Sequence, residues 1–177
     1  MNVLLPAVGR KYQLAAMLKE ALAKRGGRLI AADSSPNASG LHAADECVRL
    51  PPFDHAEFWH AADYLIREKA IDAVIPVRDA ELAGWAGKAE SRVITARIFI
   101  SPGATLETCF DKWSLHEAAG KAGIPCPATM LVSKGDRPEA EGSVPVVVKP
   151  RRGAGGRGVS VAKSKAMLTA ILHENDT

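Results

Sequence analysis

The residues best suited to chemistry lie together late in the sequence. An apolar run, Val144-Pro145-Val146-Val147-Val148, ends at Lys149 and passes into Pro150-Arg151-Arg152-Gly153-Ala154-Gly155-Gly156-Arg157-Gly158, after which Val159-Ser160-Val161-Ala162 alternates as a strand does. Four cations, Lys149, Arg151, Arg152 and Arg157, fall within nine residues that include no acid. Gly153, Gly155, Gly156 and Gly158 let main-chain N–H groups approach oxygens without a Cβ in the way. A basic, glycine-rich loop between two strands suits a polyanion, phosphate above all; the alternative is a solvated hairpin whose cations serve solubility.

The glycines spell Gly153-x-Gly155-x-x-Gly158, the letters of a dinucleotide fingerprint, but that motif ends a strand and opens a helix, and here a second strand follows. A Walker loop is excluded because no Gly-Lys-Ser or Gly-Lys-Thr occurs. A protein-kinase glycine loop is also a strand-loop-strand flap, yet its phosphate lysine comes after the glycines, whereas Lys149 precedes them.

The elements that must position this loop are bounded by composition. With 177 residues, 47% hydrophobic content and a net charge of +3, the chain suits one medium or two small globular domains, and its charge does not call for nucleic acid. Cys47, Cys109 and Cys126 are odd in number and far apart, which suggests neither a disulfide framework nor a zinc site and fits a reduced cytoplasm. No run approaches the roughly 20 apolar residues of a membrane span, so no membrane partner is expected.

The first hundred or so residues alternate strand and helix. The pattern predicts strands at 2–5, 28–32, 47–50, 73–77 and 97–100. It predicts a helix over 10–25 with Leu14, Met17, Leu18, Ala21 and Leu22 on one face, another over 55–69 carrying Phe58, Ala62, Leu65 and Ile66, and a third near 80–89. This spacing argues for an α/β, Rossmann-like parallel sheet with ligands beyond the carboxyl ends of its strands. Gly9-Arg10, Asp33-Ser34-Ser35, Arg78-Asp79 and Ser101 lie there. Gly9 also reads as a turn glycine and Asp33 as the start of a turn. Arg78-Asp79 could hold a substrate carboxylate or cap the helix that Asp79 begins.

A second region starts near Pro102. After a short helix over 104–109, Asp111 reads as the N-cap of a helix over 112–122 that Gly123 and Pro125 stop. A strand at 128–132, a polar loop at 134–142, the glycine hairpin and a final helix capped by Ser164 complete the pattern.

Asp111-Lys112-Trp113, a helix, Gly123-Ile124-Pro125-Cys126-Pro127, a strand, and Val-Val-Val-Lys149-Pro150 with its glycine loop together resemble the entry to the ATP-grasp fold. Ile75-Pro76-Val77-Arg78-Asp79-Ala80-Glu81-Leu82 and Ile100-Ser101-Pro102 resemble the preceding domain of the group related to the carbamoyl-phosphate synthase large subunit. The resemblance implies a pre-ATP-grasp domain at residues 1–103 and an incomplete α+β ATP-grasp subdomain at residues 104–177. It also implies ATP as cofactor: Lys149, Lys112, Arg157 and the loop glycines Gly153, Gly155, Gly156 and Gly158 would face its phosphates. Gly9, Arg10, Arg78 and Asp79 would form the substrate side, and the substrate would be a small carboxylate activated for attack by an amine or ammonia. Trp113 and Leu115 are expected in the core, and His116 as a surface or packing histidine.

The sequence departs from that family after Thr177. Mg2+ ligands and a catalytic arginine are expected in a carboxy-terminal half supplied in cis or in trans, and no metal ligand or catalytic residue is assigned to this chain. Its expected state alone is inactive, its compartment the cytoplasm, and a homodimer is compatible with it. Two other readings stand beside this one: a small-metabolite or nucleotide-binding module with a relic flap, and RNA or DNA binding through the basic loop, which lacks interleaved aromatics.

Overall fold

The computed structural model describes residues 1–92, 94–132 and 144–174. It divides into two compact units, Met1–Leu106 and Glu107–Thr177.

In the first unit the order is β1 (Asn2–Leu5), α1 (Tyr12–Ala23), β2 (Arg28–Asp33), a 3₁₀ turn at Ser39–Ala43, β3 (Glu46–Arg49), α2 (Phe58–Glu68), β4 (Ala73–Val74), α3 (Asp79–Ser91) and β5 (Arg97–Ile98). The strands form a five-stranded sheet in the order β3-β2-β1-β4-β5, and every pairing is parallel. This is the α/β arrangement that the alternation of elements implied.

Both faces of the sheet are covered at its centre, so residues 3–5 of β1, β4 and the middle of β2 are continuous apolar runs, while the edge strands β3 and β5 keep exposed positions. Period two sends Val3, Leu5, Leu29 and Ala31 to one face with Ala15 and Leu22 of α1. Leu4, Ile30, Ala32 and Val74 go to the other face with Phe58, Ala62, Leu65 and Ile66 of α2 and Trp85 of α3. Full burial of one such Leu or Ile side chain contributes about 1.5–3 kcal/mol. Under α2 and α3 the rings of Phe53, Phe58, Trp59 and Trp85 meet edge to face, with centroids 5.0–6.4 Å apart. Gly84 admits Trp59 at that contact, since a Cβ there would collide with the indole ring.

The helix α1 corrects one expectation. Leu14 and Met17 are 38% and 69% exposed, Ala21 is exposed, and the buried positions are Ala15 and Leu22 with Leu18 half-buried. The buried face keeps Leu18 and Leu22 of the expected stripe but is rotated toward Ala15 and away from Leu14, Met17 and Ala21. At Ala15 the small side chain lets the helix backbone approach the sheet.

The second region holds α4 (Gly103–Phe110), α5 (Lys112–Lys121), β6 (Val146–Val148), β7 (Ser160–Ala162) and α6 (Lys165–Glu174). Strands β6 and β7 pair antiparallel, with Val147 opposite Val161. Val146, Val148 and Ala162 pack on Leu168 and Ile171 of α6, while Val147 and Val161 are exposed on the opposite face. Ser164 caps α6 by accepting from the Met167 N–H. The expected strand at 128–132 is not formed. Residues 128–131 are exposed and in no regular element, Pro125 and Pro127 remove nearby donors, and no described strand pairs with the segment. Leu115 is exposed and Trp113 half-buried, so of the two expected core residues Leu115 is not in the core. The expected polar loop at 134–142 lies outside the described residues.

Candidate functional site

In the order β3-β2-β1-β4-β5 the sheet changes direction of growth between β1 and β4, and the loops leaving those strands part there. A crevice of about 300 Å³ lies at these carboxyl ends, lined by Gly9, Lys11, Asp33, Arg78 and Glu81 over an apolar wall that includes Phe53 and Phe58. Asp33 is held by backbone: one carboxylate oxygen accepts from Gly9 N at 2.8 Å and the other from Ser35 N at 2.8 Å. It therefore ties the loop after β1 to the turn after β2, in keeping with the turn reading. Gly9 itself turns the chain with φ +51°.

Of the four residues expected on the substrate side, Gly9 and Arg78 line the crevice. Arg10 and Asp79 are exposed, and their places in the lining are taken by Lys11 and Glu81. Arg78, not Asp79, occupies the N-cap position of α3, and Asp79 is the first helical residue. Glu81 was not singled out from the sequence. It is 1% exposed, its Oε2 accepts from Trp85 Nε1 at 3.4 Å, and Arg78 Nη1 stands 3.8 Å from its Oε1. Burial pushes the Glu81 carboxyl above its ordinary value, against the opposing pull of the Trp85 hydrogen bond and Arg78. The signal that could have found it is the four-residue step to Trp85, which puts both on the inward stripe of α3.

In the second unit the loop after β6 is exposed from Lys149 to Val159, Arg157 included. Gly153, Gly155, Gly156 and Gly158 all have positive φ, between 69° and 137°. At Gly158 a Cβ would also lie 2.7 Å from Pro150 Cγ, so glycine is required twice over. The base of the loop is stitched to the first turn of α5. Asp111 Oδ1 accepts from Trp113 N at 3.0 Å and Ser114 N at 3.1 Å, and caps the helix. Arg151 Nε lies 2.8 Å from both oxygens of the same carboxylate, and Arg152 Nε is 3.7 Å from Oδ2. The Arg151 guanidinium, aided by the Ser114 and Trp113 amides, holds the Asp111 carboxyl down at about 2.

Lys112 joins the same base. Its backbone N–H donates to Arg151 O at 3.0 Å, and its Nζ reaches Pro150 O at 2.9 Å, Gly153 O at 3.1 Å and Arg151 O at 3.5 Å. The structure thus brings Lys112 to the loop that carries Lys149 and Arg157. Among the described residues no group of three His, Cys, Asp or Glu side chains could hold a metal ion, and no helix is long and apolar enough to cross a membrane.

Solved structures share this architecture. An N5-carboxyaminoimidazole ribonucleotide synthetase from Thermotoga maritima is 25% identical, with 96% of this chain and 43% of that one covered and a TM-score of 0.67. An L-amino acid ligase from Bacillus licheniformis is 20% identical, with coverages of 99% and 41% and a TM-score of 0.71. Another N5-carboxyaminoimidazole ribonucleotide synthetase, solved as its ADP complex, is 20% identical, with coverages of 99% and 44% and a TM-score of 0.74. The chain spans roughly two-fifths of the length of these structures. The family description "PylC-like, N-terminal domain" matches residues 3–94, more than half of the chain and the whole of the sheet up to α3. With that sheet order and that match, the chain belongs to the PylC-like family through its N-terminal domain, the pre-domain of the ATP-grasp fold.

Proposed function

We propose that this chain carries the nucleotide-phosphate loop and the substrate-side crevice of an ATP-grasp ligase that joins a carboxylate to an amine or ammonia. The observation that carries the reading is the exposed loop from Gly153 to Gly158. Its four positive-φ glycines and flanking cations form an amide-rich, positive surface whose base is hydrogen-bonded to Asp111 and Lys112. Lys149 and Arg157 neutralise phosphate charge, the loop amides at Gly153, Gly155, Gly156 and Gly158 donate to phosphate oxygens, and Lys112 adds its charge from the loop base. Phosphoryl transfer relies mainly on positioning and on charge compensation, which such groups supply.

The chemistry balances in two steps. A substrate carboxylate oxygen attacks the terminal phosphorus of ATP, the bond to the bridging oxygen breaks, and ADP leaves with that electron pair. The amine nitrogen then attacks the acyl carbon, the bond to the phosphate oxygen breaks, and inorganic phosphate leaves as the nitrogen loses a proton. The described residues do not fit a magnesium site, so neither step is routed through one. In this reading the magnesium ligands and the catalytic groups belong to a carboxy-terminal half acting in cis or in trans, and the chain alone does not turn over.

On the substrate side, Gly9 and Arg78 line the crevice while Arg10 and Asp79 only adjoin it in sequence; there Arg78 and Lys11 would face a carboxylate and Glu81 a donor. The division at residues 103 and 104, action in the cytoplasm, homodimer formation and a likeness to the carbamoyl-phosphate synthase large subunit are parts of the same proposal. The test is a titration of this chain with ATP and with inorganic tripolyphosphate, followed by amide chemical shifts. Shifts clustered between Arg151 and Val159, weakened by salt and lost in Lys149→Met, are expected. Shifts absent from that loop, or unchanged in Lys149→Met, would overturn the reading.

A further inference from the structure

We infer that Asp111 is a positioning residue for the phosphate loop, acting through Arg151. This rests on the phosphate-loop reading above and goes beyond it by naming the group that sets the loop's geometry. A helix N-cap needs one or two acceptor contacts. Asp111 has more: the same carboxylate takes two amides of α5 and both of its oxygens meet the Arg151 guanidinium. The carboxylate is 3% exposed while Arg151 reaches it from the solvent side. The pair is therefore shielded on one side, unlike the fully exposed ion pairs whose worth is small.

The consequence is geometric. Arg151 and Arg152 occupy the first two positions after Pro150, where the chain leaves β6 for the glycines. Arg152 is held twice, near Asp111 and at 3.3 Å from Glu107 of α4. From the other side, Lys112 gathers the carbonyls of Pro150 and Gly153 onto one ammonium. These carbonyls would otherwise present negative dipoles to an incoming phosphate. With them turned to Lys112, the amides between Gly153 and Val159 are the donors the loop can offer. Asp111 holds this arrangement because it fixes both the helix end from which Lys112 projects and the arginine that begins the loop.

The experiment separates the clasp from the cap. Asp111→Asn keeps a good N-cap residue but removes the charge that pairs with Arg151. Arg151→Met leaves the cap untouched, and Arg151→Lys restores charge without the planar fork. Each variant and the double variant Asp111→Asn with Arg151→Met are compared for hydrogen exchange at the 152–159 amides without ligand, for tripolyphosphate affinity and for helical circular dichroism. Expected are unchanged helix content, loop exchange faster by about tenfold in either single variant with no further gain in the double, as coupled partners require, and tripolyphosphate binding weakened about five- to tenfold. Arg151→Lys should recover only part of both. Parent-like exchange in Asp111→Asn would overturn the inference, as would faster exchange with unchanged affinity or additive effects in the double variant. If the parent binds no tripolyphosphate, the phosphate reading fails, and the exchange data alone decide whether the clasp orders the loop.

Discussion

The sheet of the first unit and the hairpin of the second are built from similar residues but held by different means. The sheet buries apolar side chains on both faces under three helices, and its only buried charged group is Glu81 among the described residues of that unit. The hairpin has two strands, one helix and a small cluster of Ala162, Leu168 and Ile171, and its ordered loop depends on polar contacts made by Asp111 and Lys112. A two-stranded sheet alone is marginal in water. Packing sets the stability of the first unit, whereas in the second a few charged groups set the shape of one loop.

The largest effect is expected from Trp85→Ala. The side chain is fully buried against Phe58 and Trp59, and its removal should cost about 3–5 kcal/mol in urea unfolding. Leu168→Ala, in the thinner cluster, should cost nearer the low end for leucine, about 2 kcal/mol. Equal losses at the two sites would mean that the hairpin is a packed core in its own right. Gly158→Ala should cost about 1–2 kcal/mol, since its φ of +69° is disfavoured for any side chain and Pro150 blocks the Cβ. Differential unfolding with ligand-free protein reads this.

Smaller in energy but sharper in location is the response to acid. Asp111 has a folded-state value of about 2, below the ordinary 3.8, so the stability it contributes is present above pH 3.8 and is lost as pH falls toward 2. The groups that face it are Arg151 and Arg152, with Glu107 on Arg152 and Glu117 acting on Arg151. Its carboxyl carbon, followed by NMR, should titrate near 2, with the loop amide shifts following the same midpoint. A midpoint near 3.8 would remove the clasp from the comparison. The smallest effect is expected at Met17→Gln, within about 0.5 kcal/mol of the parent, because Met17 is a surface residue of α1.

Local signals made much of this legible. Hydrophobic periodicity located α2 with all four of its buried residues, Asp111 announced itself as a cap, and the glycine loop was read as a strand-loop-strand hairpin. The failures have a common physical origin. On α1 the periodicity fixed Leu18 and Leu22, but the rotation of the face depends on how closely the helix approaches the sheet, a tertiary quantity, and that chose Ala15 over Leu14. Residues 128–132 have strand composition, but a strand needs a partner, which composition does not supply. Glu81 and Lys11 went unnoticed because the crevice is assembled from four separate loops, and a neighbour one or two positions away in sequence can face the opposite side. The Arg151 contact to Asp111 spans 40 residues and leaves no local trace.

The pairing of Val3 with Ala73 carries a consequence for biosynthesis. The amino-terminal strand is the centre of the sheet, yet one of its two neighbours lies 70 residues later, the difference between positions 73 and 3. At about 5–20 residues per second of synthesis, the nascent chain holds one flank of this central strand unpaired for about 4–14 s. During that interval Leu4 and Leu5 are open to chaperones and to neighbouring nascent chains, so translation speed through residues 28–73 bears on the yield of correctly folded protein.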